Sequence, residues 1–285
     1  MSGRPTFGRS ARCQRQIRAS VAALNAADPG ANAFARSSRI RDDEAMTGPE
    51  TTQRRAQPVD YDVDLDRFLT NQAATRLFST SGDIHEPVAE HLHRQHAGGR
   101  VLDLGGGNGL LVRHLKDRGM ATVVLDQARY VATAPPPVVL ADAERLPFAD
   151  ETFDAVAALW MLYHVAEPLV VLRQAARVLR PGGTFVACAP SRWNDPEFQG
   201  VLPEWGSRST FDAEDAAELI GQVFDVVTVE RWDATLVSLR DAAAVEQFLR
   251  GRGLSPRAAG EAAVEFEPPM TVTKRGALVW ARVPS

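Results

Sequence analysis

From about residue 98 onward, short apolar runs alternate with longer segments in which apolar residues recur every three or four positions. Apolar runs of this length predict buried strands, and the segments between them predict amphipathic helices. The alternation favours the α/β class, with a doubly wound and mostly parallel sheet. The predicted strands are Val101–Leu104, Thr122–Leu125, Val138–Ala141, Ala155–Leu159, Thr184–Ala189, Phe224–Trp232 and Thr271–Arg282.

The segments between these strands are predicted to be helices. Asp212 is the expected N-cap of a helix that starts near Phe211. Another helix is expected to stop at Arg180–Gly183, where proline and glycine turn the chain. The remaining predicted helices are Pro87–His96, Leu110–Arg118, a short one at Ala128–Ala132, Glu167–Leu179, Asp241–Arg250 and Pro256–Glu265.

The pattern also divides the chain into regions. Residues 1–57 have few large apolar residues and no sustained periodicity, so we expect a disordered tail there. Residues 58–285 are expected to form one domain: an N-terminal helical cap at 58–97, a ligand-binding core at 98–190, and a lid with the rest of the sheet at 191–285.

Composition and charge narrow the functional classes. The 285 residues include two cysteines, which match no disulfide framework or metal spacing, so a cytoplasmic protein is expected. No apolar run is long enough to span a bilayer, and no membrane partner is expected. Residues 1–57 are basic and the remainder is acidic, which argues against nucleic acid as a partner. The basic tail also resembles a transit peptide or a nucleic-acid arm, although an over-extended start before Met46 is the preferred interpretation.

A glycine-rich turn, Gly105-Gly106-Gly107-Asn108-Gly109, joins the first predicted strand to the following helix. Such a turn lets a ligand approach the backbone closely, and the helix start offers unpaired N–H groups. Leu110 stands where a dinucleotide fingerprint needs its third glycine and where a P-loop needs its second, so both of those motifs fail. The spacing that fits is D-x-G-x-G-x-G, beginning at Asp103.

Further motifs follow at the ends of successive strands. Asp126 closes the second strand, where an acid can accept the hydroxyls of a ribose. A DAE-x-LPF segment runs from Asp142 to Phe148, and Arg180–Gly183 leads into the fifth strand. Together, these motifs resemble those of the class I S-adenosylmethionine (SAM)-dependent methyltransferases, in particular the group that acts on small molecules. The resemblance covers about Gly99 to Pro190.

The resemblance implies a fold and a set of cofactor contacts. The fold would be Rossmann-like, with about seven strands and the last one antiparallel. SAM would be bound and S-adenosyl-L-homocysteine released. The glycine turn would approach the methionine moiety, with Asp103 near its ammonium group, Asp126 on the ribose and Gln127 beside the adenine. Asp142 and the backbone N–H of Ala143 would contact the adenine, and backbone at Leu159 and Trp160 would line the amino-acid end.

For Asp126, a solvated strand-end carboxylate is the alternative to a ribose contact. For Asp142, the alternative is an Asx-type turn. Methyl transfer is an in-line displacement that rests mainly on proximity and orientation. A base helps only if the acceptor must lose a proton, and His164 or Tyr163 is the candidate. A packing role remains open for both.

Four histidines at positions 85, 91, 93 and 96 invite a metal-site interpretation. No carboxylate–histidine motif accompanies them, so a solvated helix face is preferred and no metal is expected.

The acceptor is expected to be a small molecule that is methylated on oxygen or nitrogen rather than carbon. Residues 61–84 and 191–211 would cover it, and the aromatic residues of the second segment would either clamp it or form ordinary lid core. An RNA or protein methyltransferase is one alternative, and a SAM-binding scaffold or cyclase-like protein is another. A monomer or homodimer is expected.

Overall fold

The computed structural model describes Thr70, Asn71, Ala74, residues 77–80 and residues 83–284. The predicted tail at residues 1–57, and most of the predicted cap at 58–97, lie outside the described residues. Within the described part, a mixed sheet of seven strands carries helices on both faces.

The sheet confirms the predicted α/β class and its Rossmann-like topology. Its spatial order is β3-β2-β1-β4-β5-β7-β6, and β7 runs antiparallel to both of its neighbours. The other strands are therefore parallel to one another. The strands are β1 Arg100–Leu104, β2 Ala121–Asp126, β3 Val138–Leu140, β4 Phe153–Leu159, β5 Leu179–Pro190, β6 Asp225–Leu239 and β7 Met270–Arg282.

Six α-helices lie wholly within the described residues; the first precedes β1 and the other five lie between strands. They are α1 His85–Gln95, α2 Leu110–Asp117, α3 Pro168–Val178, α4 Ala216–Gly221, α5 Ala242–Gly251 and α6 Pro256–Ala263. Short 3₁₀ turns occur at Arg129–Thr133, Leu162–His164 and Pro196–Phe198. The side chains of Asp241 and Ser255 cap α5 and α6 by accepting backbone N–H groups, which satisfies donors that a helix start leaves unpaired.

Two apolar clusters cover the two faces of the central strands. Alternate residues of β4 belong to opposite clusters: Val156 packs with α3 and α4, whereas Ala155 and Ala157 pack with α1 and α2. This division follows from the two-residue period of a strand. Because β4 is buried on both faces, it appears in the sequence as a continuous apolar run.

The helix predicted from Phe211 with Asp212 as its N-cap is wrong. The helix begins at Ala216, and its N-cap is Asp215, whose side chain makes no capping hydrogen bond. Asp212 instead accepts a hydrogen bond from Arg192 at 2.7 Å. The ion pair draws this carboxylate away from the helix start.

The predicted boundary of β6 at Trp232 is also wrong, because the strand continues to Leu239. There β6 and β7 pair beyond the end of β5, and the extension packs against α5 and α6. We call this region, residues 233–275, the hairpin extension. The turn at Arg180–Gly183 also departs from expectation: it lies within β5, between the paired residues Leu179 and Thr184.

Candidate functional site

The glycine turn lies at the carboxyl edge of the sheet, between β1 and α2. Gly105, Gly107 and Gly109 all have positive φ, which is favourable mainly for glycine. The backbone N–H groups of Gly105 and Gly106 donate to the carbonyl of Leu125, at 2.7 and 3.3 Å. These bonds tie the turn to the end of β2, so the two strand ends form one surface.

Close contacts beneath the turn leave no room for side chains. A Cβ on Gly105 would lie 2.6 Å from the Cβ of Met161, and a Cβ on Gly106 would overlap the carboxyl group of Asp103. Pro135 lies against Gly109 in the same way. The turn is therefore a close-packed backbone cradle, in which the N–H groups of Gly107 and Gly109 are also bonded within the chain, to Asp126 Oδ2 and to the carbonyl of Gly106. Asn108 belongs to the same turn and is half-buried.

Asp103 is the most unusual charged residue of the cradle. It is 2 % exposed, and its Oδ2 has no hydrogen-bond partner in the described part of the chain. Burial raises the pKa of Asp103 to about 7, the charge of His85 opposes this shift, and Asp126 adds to it. A buried carboxylate oxygen without a donor is costly, and a cationic ligand group would remove that cost.

Asp126 lies at the end of β2 and is 8 % exposed, so the alternative of a solvated strand-end carboxylate is wrong. Its Oδ2 accepts the N–H of Gly107 at 3.0 Å, and its Oδ1 accepts the N–H of Ala128 at 2.9 Å. These bonds fix the carboxylate against the cradle. A carboxylate oxygen can accept more than one hydrogen bond, so this geometry is compatible with additional donors from a ligand.

Asp142 follows β3 and forms an Asx-type turn, since its Oδ1 accepts the N–H of Glu144 at 2.9 Å. Arg145 lies 3.8 Å from its Oδ2. The structure therefore contains the turn that was the alternative for this residue, and adenine contact remains a prediction. Ala143 is buried beside it, whereas Gln127 is exposed.

Trp160 marks the carboxyl end of β4, directly after the buried Leu159. Its φ of 59° is unusual for a bulky residue, and such strained positions cluster at functional sites. Its N–H donates to the carbonyl of Cys188 at 3.1 Å, and its ring meets that of Trp232 edge to face at 6.0 Å. The two indoles stand at the same sheet edge as the cradle.

The two candidate proton-transfer residues lie next to each other in the 3₁₀ turn after β4. The rings of Tyr163 and His164 are 4.2 Å apart, and both residues are half-buried. Tyr163 packs against the core beneath the sheet. The backbone N–H of His164 donates to the carbonyl of Met161. These contacts are those of packing, and a base role remains a prediction.

The histidines of α1 do not form a uniformly solvated face, so that interpretation was wrong in part. The ring of His91 stacks on Trp280 at 4.0 Å, and His96 Nε2 lies 2.8 Å from the hydroxyl of buried Thr184. His85 contacts Asp83 and lies near enough to Asp103 to lower its pKa. Within the described residues, no three histidine, cysteine or acidic side chains are placed to hold a metal ion.

The aromatic residues of the predicted lid have two different roles. Phe198 and Phe211 are fully buried, so they are core residues and do not clamp an acceptor. Trp193 is 44 % exposed and meets Trp205 edge to face at 5.0 Å. Trp193 is therefore the lid aromatic that a ligand can reach most readily.

Sequence reasoning missed two features that shape the site: the position of His85 near Asp103 and that of Trp232 beside Trp160. Met161, which the sequence predicts as lining of the pocket or cofactor cleft, lies against Gly105. The positions of His85 and Trp232 depend on pairings between distant segments, which carry no local sequence signal. In the part of the chain that the structure describes, no helix is long and apolar enough to cross a membrane.

Known proteins similar to this chain match it mainly over the strands of the sheet. Residues 102–187 match a family model described as a methyltransferase domain. A demethylmenaquinone methyltransferase of Mycolicibacterium paratuberculosis is 37% identical over 116 residues, which are 39% of this chain and 50% of that protein. A protein of the same name from Mycobacterium tuberculosis (strain CDC 1551 / Oshkosh) is 39% identical over 116 residues, with the same coverage. The chain thus spans about half the length of these curated relatives.

Solved structures show the same fold. A putative methyltransferase of Bacillus halodurans C-125 has a TM-score of 0.50 and 18% identity, covering 69% of this chain and 99% of that one. The [4+2]-cyclase SpnF has a TM-score of 0.53 and 22% identity, covering 79% and 94%. At these identities, the likeness shows a common fold and leaves the chemistry open.

Proposed function

We propose that the chain transfers a methyl group from SAM to a small molecule, because residues 102–187 match a methyltransferase domain and the sheet has the fold of a solved putative methyltransferase. One observation supports the proposal most strongly: the buried carboxylate of Asp103, directly below the glycine cradle, has an oxygen with no partner among the described residues. The ammonium of the methionine moiety is the kind of group that this oxygen lacks.

The residues at the carboxyl edge fit the cofactor chemically. The cradle carries acids at Asp103 and Asp126, and neither of the two lysines of the chain belongs to it. A site for a phosphate ligand would be expected to use cations or more N–H groups. A sulfonium and an ammonium, in contrast, favour carboxylates and carbonyls. We assign the ribose to Asp126, the adenine to Gln127, Asp142 and Ala143, and the amino-acid end to Leu159 and Trp160.

The bound cofactor would supply a methyl group on a positively charged sulfur, ready for displacement. The chain's own contribution would be to hold two reactants in line and to exclude water. The cradle would hold one end of the cofactor against its close-packed backbone. The Trp160–Trp232 pair forms an apolar wall beside it. Such walls raise the strength of electrostatic contacts by lowering the local dielectric constant.

We infer that neither His164 nor Tyr163 is essential as a base. The contacts described for these two residues include the packing of their rings on each other and the packing of Tyr163 on the core. An acceptor that has already lost its proton, or a neutral amine, would need no base at the moment of transfer. This inference favours an acidic hydroxyl or an amine, and therefore O- or N-methylation.

The acceptor is proposed to be small and partly planar. The exposed ring of Trp193 and the Trp160–Trp232 pair offer flat apolar surfaces. The name demethylmenaquinone methyltransferase belongs to relatives that share about half of their length with this chain. A quinone-like ring is therefore one class of acceptor worth testing. The acidic balance of residues 58–285 argues against a nucleic-acid acceptor.

The proposal is tested by supplying the chain with SAM labelled in its methyl group, together with a panel of phenols, hydroquinones and small amines. Labelled product from one class, with stoichiometric S-adenosyl-L-homocysteine, is the expected result. The control is Gly105→Ala, which closes the cradle against Met161 and should abolish the product. Tight SAM binding without label transfer to any acceptor, including a metabolite extract, would contradict methyl transfer and favour a SAM-binding protein of another function.

A further inference from the structure

Trp232 lies on the edge strand β6, and its indole extends over the neighbouring strand β7. Its partner on β7 is Gly276. A Cβ on Gly276 would lie 2.2 Å from Cζ2 of Trp232, so the indole occupies the space that a larger residue would need. Glycine weakens the interior of a strand, and the close approach of another group is a common reason for its presence. The sequence of β7 therefore makes room for this indole.

The contact between Trp232 and Trp160 spans two intervening strands. Both β5 and β7 lie between β6 and β4, and β4 ends directly before Trp160. With strands about 4.8 Å apart, the backbones of β4 and β6 are roughly 14 Å apart in the sheet. The ring centroids are nonetheless 6.0 Å apart, in the edge-to-face arrangement that aromatic rings favour. An aliphatic side chain at either position would leave this contact unmade.

Trp160 has a backbone conformation that a bulky residue adopts only under constraint. Its φ of 59° lies in the left-handed region, which is unfavourable for a residue with a large side chain. Such a conformation persists only where the surrounding structure enforces it. The contacts that hold Trp160 include the hydrogen bond from its N–H to the carbonyl of Cys188, at 3.1 Å, and the ring of Trp232.

Met161 carries the effect of this constraint to the glycine cradle. It directly follows Trp160 and is buried. Its Cβ lies 2.6 Å from the position that a Cβ on Gly105 would take, so the cradle packs closely on it. Because the φ of Trp160 sets the direction of the chain after β4, it also sets the place of Met161 beneath the cradle.

We propose that Trp232 is a positioning residue for the cofactor site and acts through Trp160. Its indole holds Trp160 at a positive φ, and this conformation fixes Met161 beneath the cradle. The shape of the cradle thus depends on a side chain from the edge strand of the sheet. The proposal rests on the proposed function only for the identity of the ligand, SAM.

The first experiment observes Met161 in the ligand-free full chain, by NMR of isotope-labelled methionine methyl groups. Trp232→Leu should move the Met161 signal, because Trp160 relaxes and the chain after it shifts. Met161 packs in the apolar cluster on the opposite face of the sheet from the two indoles, so its signal reports this shift rather than the loss of a nearby ring. An unmoved signal in folded Trp232→Leu would overturn the proposal.

The matched control is Trp280→Leu. Trp280 lies on β7 and belongs to the apolar cluster on which the indole pair packs, but its ring stacks on His91. It stands four residues from Gly276, roughly 13 Å further from the carboxyl edge. Both substitutions remove a large apolar ring and should lower the Tm, but only Trp232→Leu should move the Met161 signal. Equal movement in both variants would make Trp232 an ordinary packing residue.

A second pair of variants tests the route through Trp160. Glycine adopts a positive φ without a steric penalty, so Trp160→Gly needs no neighbouring ring to hold its conformation. Adding Trp232→Leu to Trp160→Gly should therefore leave the Met161 signal where Trp160→Gly alone places it. A further movement as large as that caused by Trp232→Leu alone would show that Trp232 does not act through Trp160.

Calorimetric titration with SAM then tests the consequence for the cofactor site. Trp232→Leu should weaken SAM binding by about tenfold, and Trp280→Leu by less than about twofold, because only the first releases a strained residue beside the cradle. Equal SAM affinities of the unmodified chain and Trp232→Leu would overturn the positioning role. An unmodified chain that binds no SAM, but whose Met161 signal moves in Trp232→Leu, would contradict the proposed function and leave the positioning of the cradle supported.

Discussion

The glycine cradle and the hairpin extension both contain a nearly buried aspartate, but the two carboxylates have different surroundings. Asp103 in the cradle has an oxygen without a partner in the described residues. Asp195, beside the hairpin extension, is also 2 % exposed, and it pairs with Arg252 at 2.7 Å and with Lys274 at 2.5 Å. One carboxylate has an oxygen left unpaired within the described residues, and the other is held by two cations.

The pKa values reflect the same contrast. Burial raises the pKa of Asp103 to about 7, and the charge of His85 opposes this shift only in part. Burial would also raise the pKa of Asp195, but Arg252 and Lys274 bring it below its usual value. Burial lowers the pKa of Lys274 to about 8, with the neighbouring Arg252 acting in the same direction. Buried charge alone therefore does not indicate a binding site, whereas buried charge without a partner does.

Removing the charge of Asp195 should have the largest effect on stability. Asp195→Asn leaves Arg252 and Lys274 without their buried acid, and breaking such a cluster costs about 3–5 kcal/mol of the free energy of unfolding. Asparagine tolerates the positive φ of 57° found here, so the backbone adds little to this loss. Urea unfolding measures the change. Glu261→Ala, which breaks an exposed pair with Arg257, is the control and should cost less than about 1 kcal/mol.

The SAM affinity of Asp195→Asn tests whether the glycine cradle and the hairpin extension act independently. Folded Asp195→Asn should bind SAM as the unmodified chain does, because its effect lies in the hairpin extension. A large loss of affinity at full folding would show that the two regions are not separate.

Closing the cradle should have the next largest effect, and this effect should fall on binding. Gly105→Ala places a methyl group against Met161 and strains a φ of 66°, so we expect SAM affinity to fall by about 100-fold. Gly98→Ala is the matched control, since Gly98 has a φ of 76° and open space around it. It carries the same backbone strain without the contact. If calorimetry shows the same loss of SAM affinity in both variants, backbone strain alone, and not the contact with Met161, explains the loss.

The raised pKa of Asp103 predicts a pH dependence with a definite sign. Between about pH 4 and pH 7, the folded carboxyl keeps a proton that the unfolded one has lost, so the ligand-free chain loses stability as pH rises through this window. SAM affinity should increase as pH rises through 7, because the ionised carboxylate attracts the ammonium. Asp103→Asn should bind SAM about tenfold more weakly at pH 8 and show a flat profile. A pH profile that Asp103→Asn leaves unchanged would assign the titration to another group.

The smallest effect is expected at the turn after β4. His164→Ala should reduce kcat by less than about threefold, which is below the range expected when a general base is removed. Steady-state kinetics with saturating SAM would check this. A large fall in kcat with unchanged SAM affinity would indicate that His164 acts as a base.

The parts of the molecule that the sequence predicted well are those with local signals. The apolar run of β4 predicted a buried strand, because burial on both faces selects apolar residues at every position. The glycines after β1 predicted the turn, because a positive φ favours glycine. Asp126 was placed correctly because the acid follows a strand end at a fixed distance from the glycines.

Pairings between distant segments were not predictable in this way. Asp212 resembled a helix cap, but Arg192 holds it through an ion pair across 20 positions of the sequence. The extra length of β6 depends on its pairing with β7, because the exposed residues at 233–235 interrupt the apolar pattern before the buried Val237 and Leu239. The position of His85 near Asp103 depends on where α1 packs, and nothing in the residues near His85 specifies that position.

The most direct test of the central claim is calorimetric titration of SAM into the unmodified chain and into Asp126→Ala. The account predicts one site in the unmodified chain, and an affinity at least 100-fold lower in the variant. That variant loses the acceptor for Gly107 and Ala128 together with the proposed ribose contact. Circular dichroism should show that both chains are folded. Equal SAM affinities in two folded chains would contradict a binding site at the carboxyl edge of this sheet.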